Sequence, residues 1–110
     1  MATLKPKLMY QGNSTAANAY TVANVSGNYS IIKSINICNT SNTANATASV
    51  HILSNGASPS ASNKIISNAN VIRDDVLYYN TSIVIPANSN IYVSSSSNTV
   101  TFTISGVEYA

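Results

Sequence analysis

Charge is scarce in this sequence. Only 7% of its 110 residues are Asp, Glu, Lys or Arg, against about a quarter in an ordinary soluble domain. Lys5, Lys7, Lys33, Lys64 and Arg73 are scattered and stand against Asp74, Asp75 and Glu108, so the net charge of +2 marks no basic stripe. Nucleic-acid binding driven by counterion release has no footprint here. Tryptophan is absent, phenylalanine occurs once and there is one cysteine, Cys38. A lone thiol excludes an internal disulfide, and its place at the end of an apolar run reads as a small buried hydrophobe. No apolar run reaches the roughly 20 residues of a transmembrane helix, and "MATLKPKLMYQG" lacks the apolar stretch of a secretion signal. We therefore expect a chain made in a cytoplasm, with no membrane partner and no nucleic acid.

What replaces charge is neutral polarity. Asn (16), Ser (18) and Thr (10) fill 44 of the 110 positions, a composition suited to a surface covered by neighbouring subunits, since proteins living free usually carry more charge. The length implies one domain. Residues 1–18 show neither a helical nor a strand period, and Pro6 and Gly12 interrupt them, so they read as an extended arm preceding a domain at 19–110. Leu4, Leu8, Met9 and Tyr10 suit that arm to lying against another subunit.

Beyond the arm the signals are short strands bounded by turn formers. They fall at 19–25, 29–39, 46–53, two or three within 64–87, a short one around Ile91 and Val93, and a last one in "TVTFTISGVEY". Residues 54–63 form the longest loop, expected to be mobile. In "YSIIKSINICN" the phase is imperfect: Ile31, Ile35 and Ile37 share one face with Lys33, while Ile32 points with Ser34, Asn36 and Cys38 to the other. This implies either a strand buried on both faces, the preferred reading with the Lys33 stem along apolar surface, or a bulge near Lys33. Val100, Phe102 and Ile104 alternate with Thr99, Thr101 and Thr103 and point to the core, with Gly106 permitting a bend or bulge. Seven or eight such strands and no secure helix predict an all-β fold: a single antiparallel β-sandwich or jelly-roll-like domain with an extended N-terminal arm.

Candidates for chemistry are few. His51 alternates with Val50 and Ile52 and reads as a surface or interface histidine. Cys38 and His51 fall on consecutive strands, but nothing local activates a Cys-His pair. Arg73, Asp74 and Asp75 read as a turn in which an aspartate bonds nearby amides; neither a calcium loop nor a zinc pattern is present. We assign no catalytic, cofactor or metal residue and expect a protein that is not an enzyme. Six of the seven tyrosines lie in or beside predicted strands. Tyr78 and Tyr79, being adjacent, must point to opposite faces, so at least one is expected outward, either on another subunit or on sugar rings. The candidate interface residues are thus Leu4, Leu8, Met9, Tyr10, Tyr78 and Tyr79.

Three stretches resemble a known family. "SIIKSINICNTSNTANATASVHIL" (30–53) resembles a motif of small virion proteins of tailed bacteriophages, in which an Ile/Val-rich strand leads through Cys-Asn-Thr-Ser into a second strand. "SNTVTFTISGVEYA" resembles the end of the same proteins, where a Thr/Val strand runs into Ser-Gly-x-Glu. "IVIPANSNIYV" (83–93) is similar to their penultimate hairpin, with Asn88 and Ser89 where Gly-Asp often stands. The likeness covers most of residues 20–110. It implies a non-enzymatic β-sandwich built into a virion, as a capsid decoration or cement protein or a neck, tail or baseplate accessory. The implied partners are the major capsid protein or neck and tail proteins, with several copies in a homo-oligomer assembled in the host cytoplasm. The alternative is a carbohydrate-binding module of a phage tail or bacterial surface.

Overall fold

The computed structural model describes residues 3–110. Eight strands form: β1 Leu4–Asn13, β2 Ala16–Thr21, β3 Tyr29–Asn39, β4 Ala46–Leu53, β5 Lys64–Val71, β6 Val76–Pro86, β7 Asn90–Ser95 and β8 Val100–Tyr109, with a single 3-10 turn at Ala61–Asn63. Two four-stranded sheets result. Sheet A has the order β1-β8-β3-β6 and sheet B the order β2-β7-β4-β5, and all neighbours are antiparallel. The all-β sandwich expected from turn-bounded, β-branched runs is therefore the fold. The interleaving of early and late strands in both sheets makes it a jelly roll.

The core lies between the sheets, where Phe102, Ile32, Ile35, Ile37, Ile85 and Ile104 of sheet A meet Val50, Val71, Ile91 and Val93 of sheet B, all but shut off from solvent. β8 supplies Val100, Phe102 and Ile104 in the expected alternation and sits between β1 and β3. Each fully buried side chain of this size contributes about 1.5–3 kcal/mol relative to exposure.

The arm is a correction. Residues 4–13 are extended, but as β1 they pair with β8 from Leu4↔Tyr109 to Asn13↔Thr101, and β2 already begins at Ala16. The sandwich thus includes the residues assigned to an arm at 1–18, and the domain does not start at 19; Met1 and Ala2 lie outside the described residues. An extra residue at Met9, where the register shifts between Leu8 and Tyr10, erases the alternation a strand would show. Pro6 is tolerated because an edge strand can spare its amide.

The phase of β3 is a second correction. Against β8 the register shifts between Ile32 and Ser34, so Lys33 is a bulge and the doubly buried strand is not what forms; against β6 the shift leaves the extra residue on β6, between Asn80 and Ile83. Two residues take the place of one, and Ile32, Ile35 and Ile37 all turn inward. The Lys33 ammonium lies outside and donates to Ser82 Oγ at 2.7 Å. The same shift sends Cys38 outward and leaves it half-buried, so it is not the core thiol expected. Opposite the bulge, Gly106 passes so close to β3 that a Cβ there would stand 1.9 Å from the Ile31 carbonyl oxygen.

Asn39, in the Cys-Asn-Thr-Ser stretch, ties together the loops at one end of the sandwich. It is fully buried. Its amide donates to Ala44 O at 2.9 Å and Val71 O at 3.0 Å, and its Oδ1 accepts from Ser41 N at 3.0 Å and Thr99 Oγ1 at 2.9 Å. Thr40 adds its backbone amide and its hydroxyl to Thr99 O, each at 2.9 Å.

Candidate functional site

The outer face of sheet A divides into unlike halves. Ser30 and Ile32 are buried and Glu108 points inward to Tyr20 of sheet B, so strand alternation turns Tyr29, Ile31, Val107 and Tyr109 outward. The registers then align two cross-strand rows, Leu4–Tyr109–Tyr29–Pro86 and Pro6–Val107–Ile31–Val84, with no polar side chain apart from the tyrosine hydroxyls. The Tyr29 and Tyr109 rings stack at 4.9 Å. The other half is mostly polar, with rows Gln11–Thr103–Asn36–Tyr78 and Asn13–Thr101–Cys38–Val76.

Between the halves a shallow groove of about 410 Å³ is lined by Pro6, Lys7, Leu8, Lys33, Ser105 and Gly106. It lies where both neighbours of β8 carry an extra residue, Met9 on one side and Lys33 on the other. Bulges at one level of adjacent strands bend a sheet, and this groove follows that bend.

Of the six interface candidates, three are well exposed: Leu4 at 56%, Leu8 at 57% and Tyr78 at 60%. Met9 is a correction, since the bulge turns it into the core, where it is 7% exposed. Tyr10 and Tyr79 are half-buried and pack against the core, so they are not free interface residues either. The expectation that Tyr78 and Tyr79 diverge holds, with Tyr78 outward. Pure sequence reading missed Tyr29, Ile31, Val84, Val107 and Tyr109. Alternation continued past Gly106 would have placed the last two on the outer face with Thr101 and Thr103.

The titratable groups do not converge. Cys38 lies on the outside of sheet A and His51 on sheet B, so consecutive strands have gone to different sheets and the pair is split. His51 leaves the expected outer face, but it is only 5% exposed. The 54–63 loop crosses over it, Asn63 Oδ1 lies 2.7 Å from its Nδ1, and Tyr92 packs edge-on at 5.9 Å; it is not the surface histidine expected. Asp75 Oδ1 accepts from Val76 N at 2.8 Å, the turn role assigned to the Arg-Asp-Asp stretch. Among the described residues no three His, Cys, Asp or Glu side chains gather as a metal site would require.

One polar cluster bridges the sheets. The Tyr20 hydroxyl donates to Glu108 Oε2 and lies 2.9 Å from Ser30 Oγ. Burial, reinforced by the Glu108 carboxylate, raises the Tyr20 pKa above its ordinary value of 10. The fold thus favours the neutral phenol. The stabilisation is complete below the ordinary phenol value and is lost as pH rises through the raised one. Thermal melts across the alkaline range are therefore expected to show wild-type stability falling more steeply above pH 10 than that of Tyr20→Phe. Parallel slopes for the two proteins would refute this.

Comparison with protein-family models, curated proteins and solved structures finds no match to this chain.

Proposed function

We infer that this chain is a non-enzymatic structural subunit of a tailed-bacteriophage virion, docking on other virion proteins as a capsid decoration or cement protein or a neck or tail accessory. The observation that carries the reading is the outer face of sheet A, where two whole cross-strand rows are apolar and Leu4, Leu8 and Val84 each stand more than half exposed. A free monomer rarely leaves so continuous a patch uncovered. The resemblance of the Cys-Asn-Thr-Ser and Ser-Gly-x-Glu stretches to virion proteins supports it, and so does the role those residues take. Asn39 joins loops, Gly106 admits a close strand approach and Glu108 bridges sheets, so these stretches support a scaffold and bring no reagent to a cleft.

The carbohydrate-binding alternative requires tyrosines gathered on one open groove. Here Tyr79 packs on the core, Tyr92 lies against His51, Tyr20 is tied to Glu108 and Tyr29 stacks on Tyr109, leaving Tyr78 alone strongly exposed. Mass spectrometry of density-purified phage particles tests the virion reading. The chain is expected there at a copy number matching a symmetric shell or ring, and Leu4→Asp with Leu8→Asp, both exposed on β1, is expected to leave it folded in the lysate but missing from particles. Its absence from particles while abundant in the lysate would sink the proposal.

A further inference from the structure

Each sheet of a sandwich has two edges, and the two edges of sheet A are built differently. β1 carries Lys5, Pro6 and Lys7 and is bulged at Met9. These are the devices that stop an edge from pairing with another strand: charge, a missing amide and a local twist. β6 has fewer of them: its register shifts against β3 between Asn80 and Ile83, but its inward and outward side chains alternate without a break. Its eleven residues, Val76–Pro86, contain no charged side chain, and its proline is the final residue. Outward from it stand Val76, Tyr78 and Val84, all among the exposed large apolar side chains of the molecule. On its other side Tyr79, Thr81 and Ile83 line a cleft of about 140 Å³ that continues to Ile65 and Ile66 of β5. The edges of sheet B are less suited to pairing. β2 is six residues long and shifts register at Ala19; β5 opens on Lys64, shifts register twice and is kinked by Asn68 at φ +46°.

We propose that β6 pairs antiparallel with β6 of a second copy of this chain, across a two-fold axis near Thr81, joining two four-stranded A sheets into one. Charge selects the occupant. A two-fold axis brings each side chain near its own copy, so β1 with its two lysines repels itself more than β6, which has no charge of its own and only the Lys33 ammonium of β3 held on Ser82. Pairing with β1 of another copy would lay Lys5 and Lys7 along a strand that holds no carboxylate to receive them. The outward side chains also fit. Tyr78 and Val84 lie three residues to either side of Thr81, so an antiparallel strand centred there sets each Tyr78 beside the partner copy's Val84. Aromatic and β-branched residues are a favourable cross-strand pair. The backbone ladder supplies the affinity, as in other strand-addition interfaces. This pairing does not depend on the virion reading, which concerns the outer face.

Light scattering coupled to gel filtration on the whole chain, at tens of micromolar, tests it. A dimer is expected. Tyr78→Lys and Val84→Lys each convert it to monomer with circular dichroism unchanged, because both side chains are already exposed. Leu8→Lys, on β1, leaves the dimer intact. In a Cys38→Ser background, Thr81→Cys oxidises to a covalent dimer and Val76→Cys, far from the axis, does not. A monomer throughout this range overturns the proposal, as does a dimer indifferent to both β6 lysines. An assembly of three or more copies broken by Leu8→Lys would overturn it in favour of a β1–β6 union.

Discussion

Gly106→Ala is expected to lower the stability of the fold by about 4 kcal/mol or more, which in a domain of this size means a melting temperature lower by roughly 15 °C or more. The cause is local and steric. A Cβ at 106 would sit 1.9 Å from the Ile31 carbonyl oxygen and 3.0 Å from the Met9 methyl carbon. The methionine end can swing away; the carbonyl is backbone in the middle of sheet A and cannot move without opening the β3–β8 ladder. Gly27→Ala and Gly56→Ala are informative comparisons. Both glycines have positive φ, +89° and +76°, but open space where a side chain would stand. Their cost is conformational only, about 1–2 kcal/mol each. Denaturant unfolding of the three variants should rank Gly106→Ala as by far the most damaging. A cost at 106 equal to that at 27 would show that β3 and β8 are not so closely apposed.

Asn39→Ala is the second large effect, expected at about 3 kcal/mol. It removes four hydrogen bonds from a fully buried position and strands the Ala44 and Val71 carbonyls, the Ser41 amide and the Thr99 hydroxyl. The penalty of unpaired buried groups exceeds the net gain of the bonds themselves. Asn39→Asp is expected to be worse near neutral pH, though it has nearly the same shape. It keeps the two acceptor roles but aims a carboxylate at two carbonyl oxygens, and a buried charge without a partner is costly. Lowering the pH should recover part of the loss by protonating it. Asn36→Ala, on the outer face of the same strand, is expected to be nearly neutral, because Asn36 Oδ1 has no hydrogen-bond partner among the described residues. Chemical denaturation at two pH values distinguishes these outcomes. Equal costs at 36 and 39 would mean that the Asn39 network holds nothing together.

Much of this architecture can be read from residue order because the strands are uniform and the turns are conspicuous. β3 and β4 occupy the expected spans, 29–39 and 46–53, since β-branched runs there are bounded by Gly, Asn and Ser. β8 is evident from four polar positions alternating with Val100, Phe102 and Ile104. Bulges defeated the rest. At Met9 and Lys33 one extra residue moves every following side chain to the other face; the broken phase of β3 offers the second as an alternative, while no residue type announces the first. By residue order alone β1 therefore reads as an arm, Met9 as an interface residue and Cys38 as core. The apolar rows on sheet A are invisible for a different reason. Leu4, Tyr109, Tyr29 and Pro86 are neighbours only through register across four strands, and the exposure of any one of them would be unremarkable. The cover over His51 similarly depends on the path of a polar loop whose composition says only that it is a loop.

β8 has a kinetic consequence. It is the last of the eight strands along the chain, yet it lies inside sheet A and pairs along its whole length with the first strand and the third. Neither β1 nor β3 can find this neighbour until it has been synthesised. Contacts that span nearly the entire sequence close the largest possible loops and slow folding. On the ribosome, sheet B can draw β4 and β5 together as a local hairpin, while Leu4, Leu8 and the isoleucines of β3 wait uncovered. Folding is thus expected to be cooperative, with β8 insertion as the committing step, and a nascent chain arrested before residue 100 is a ready client for chaperones.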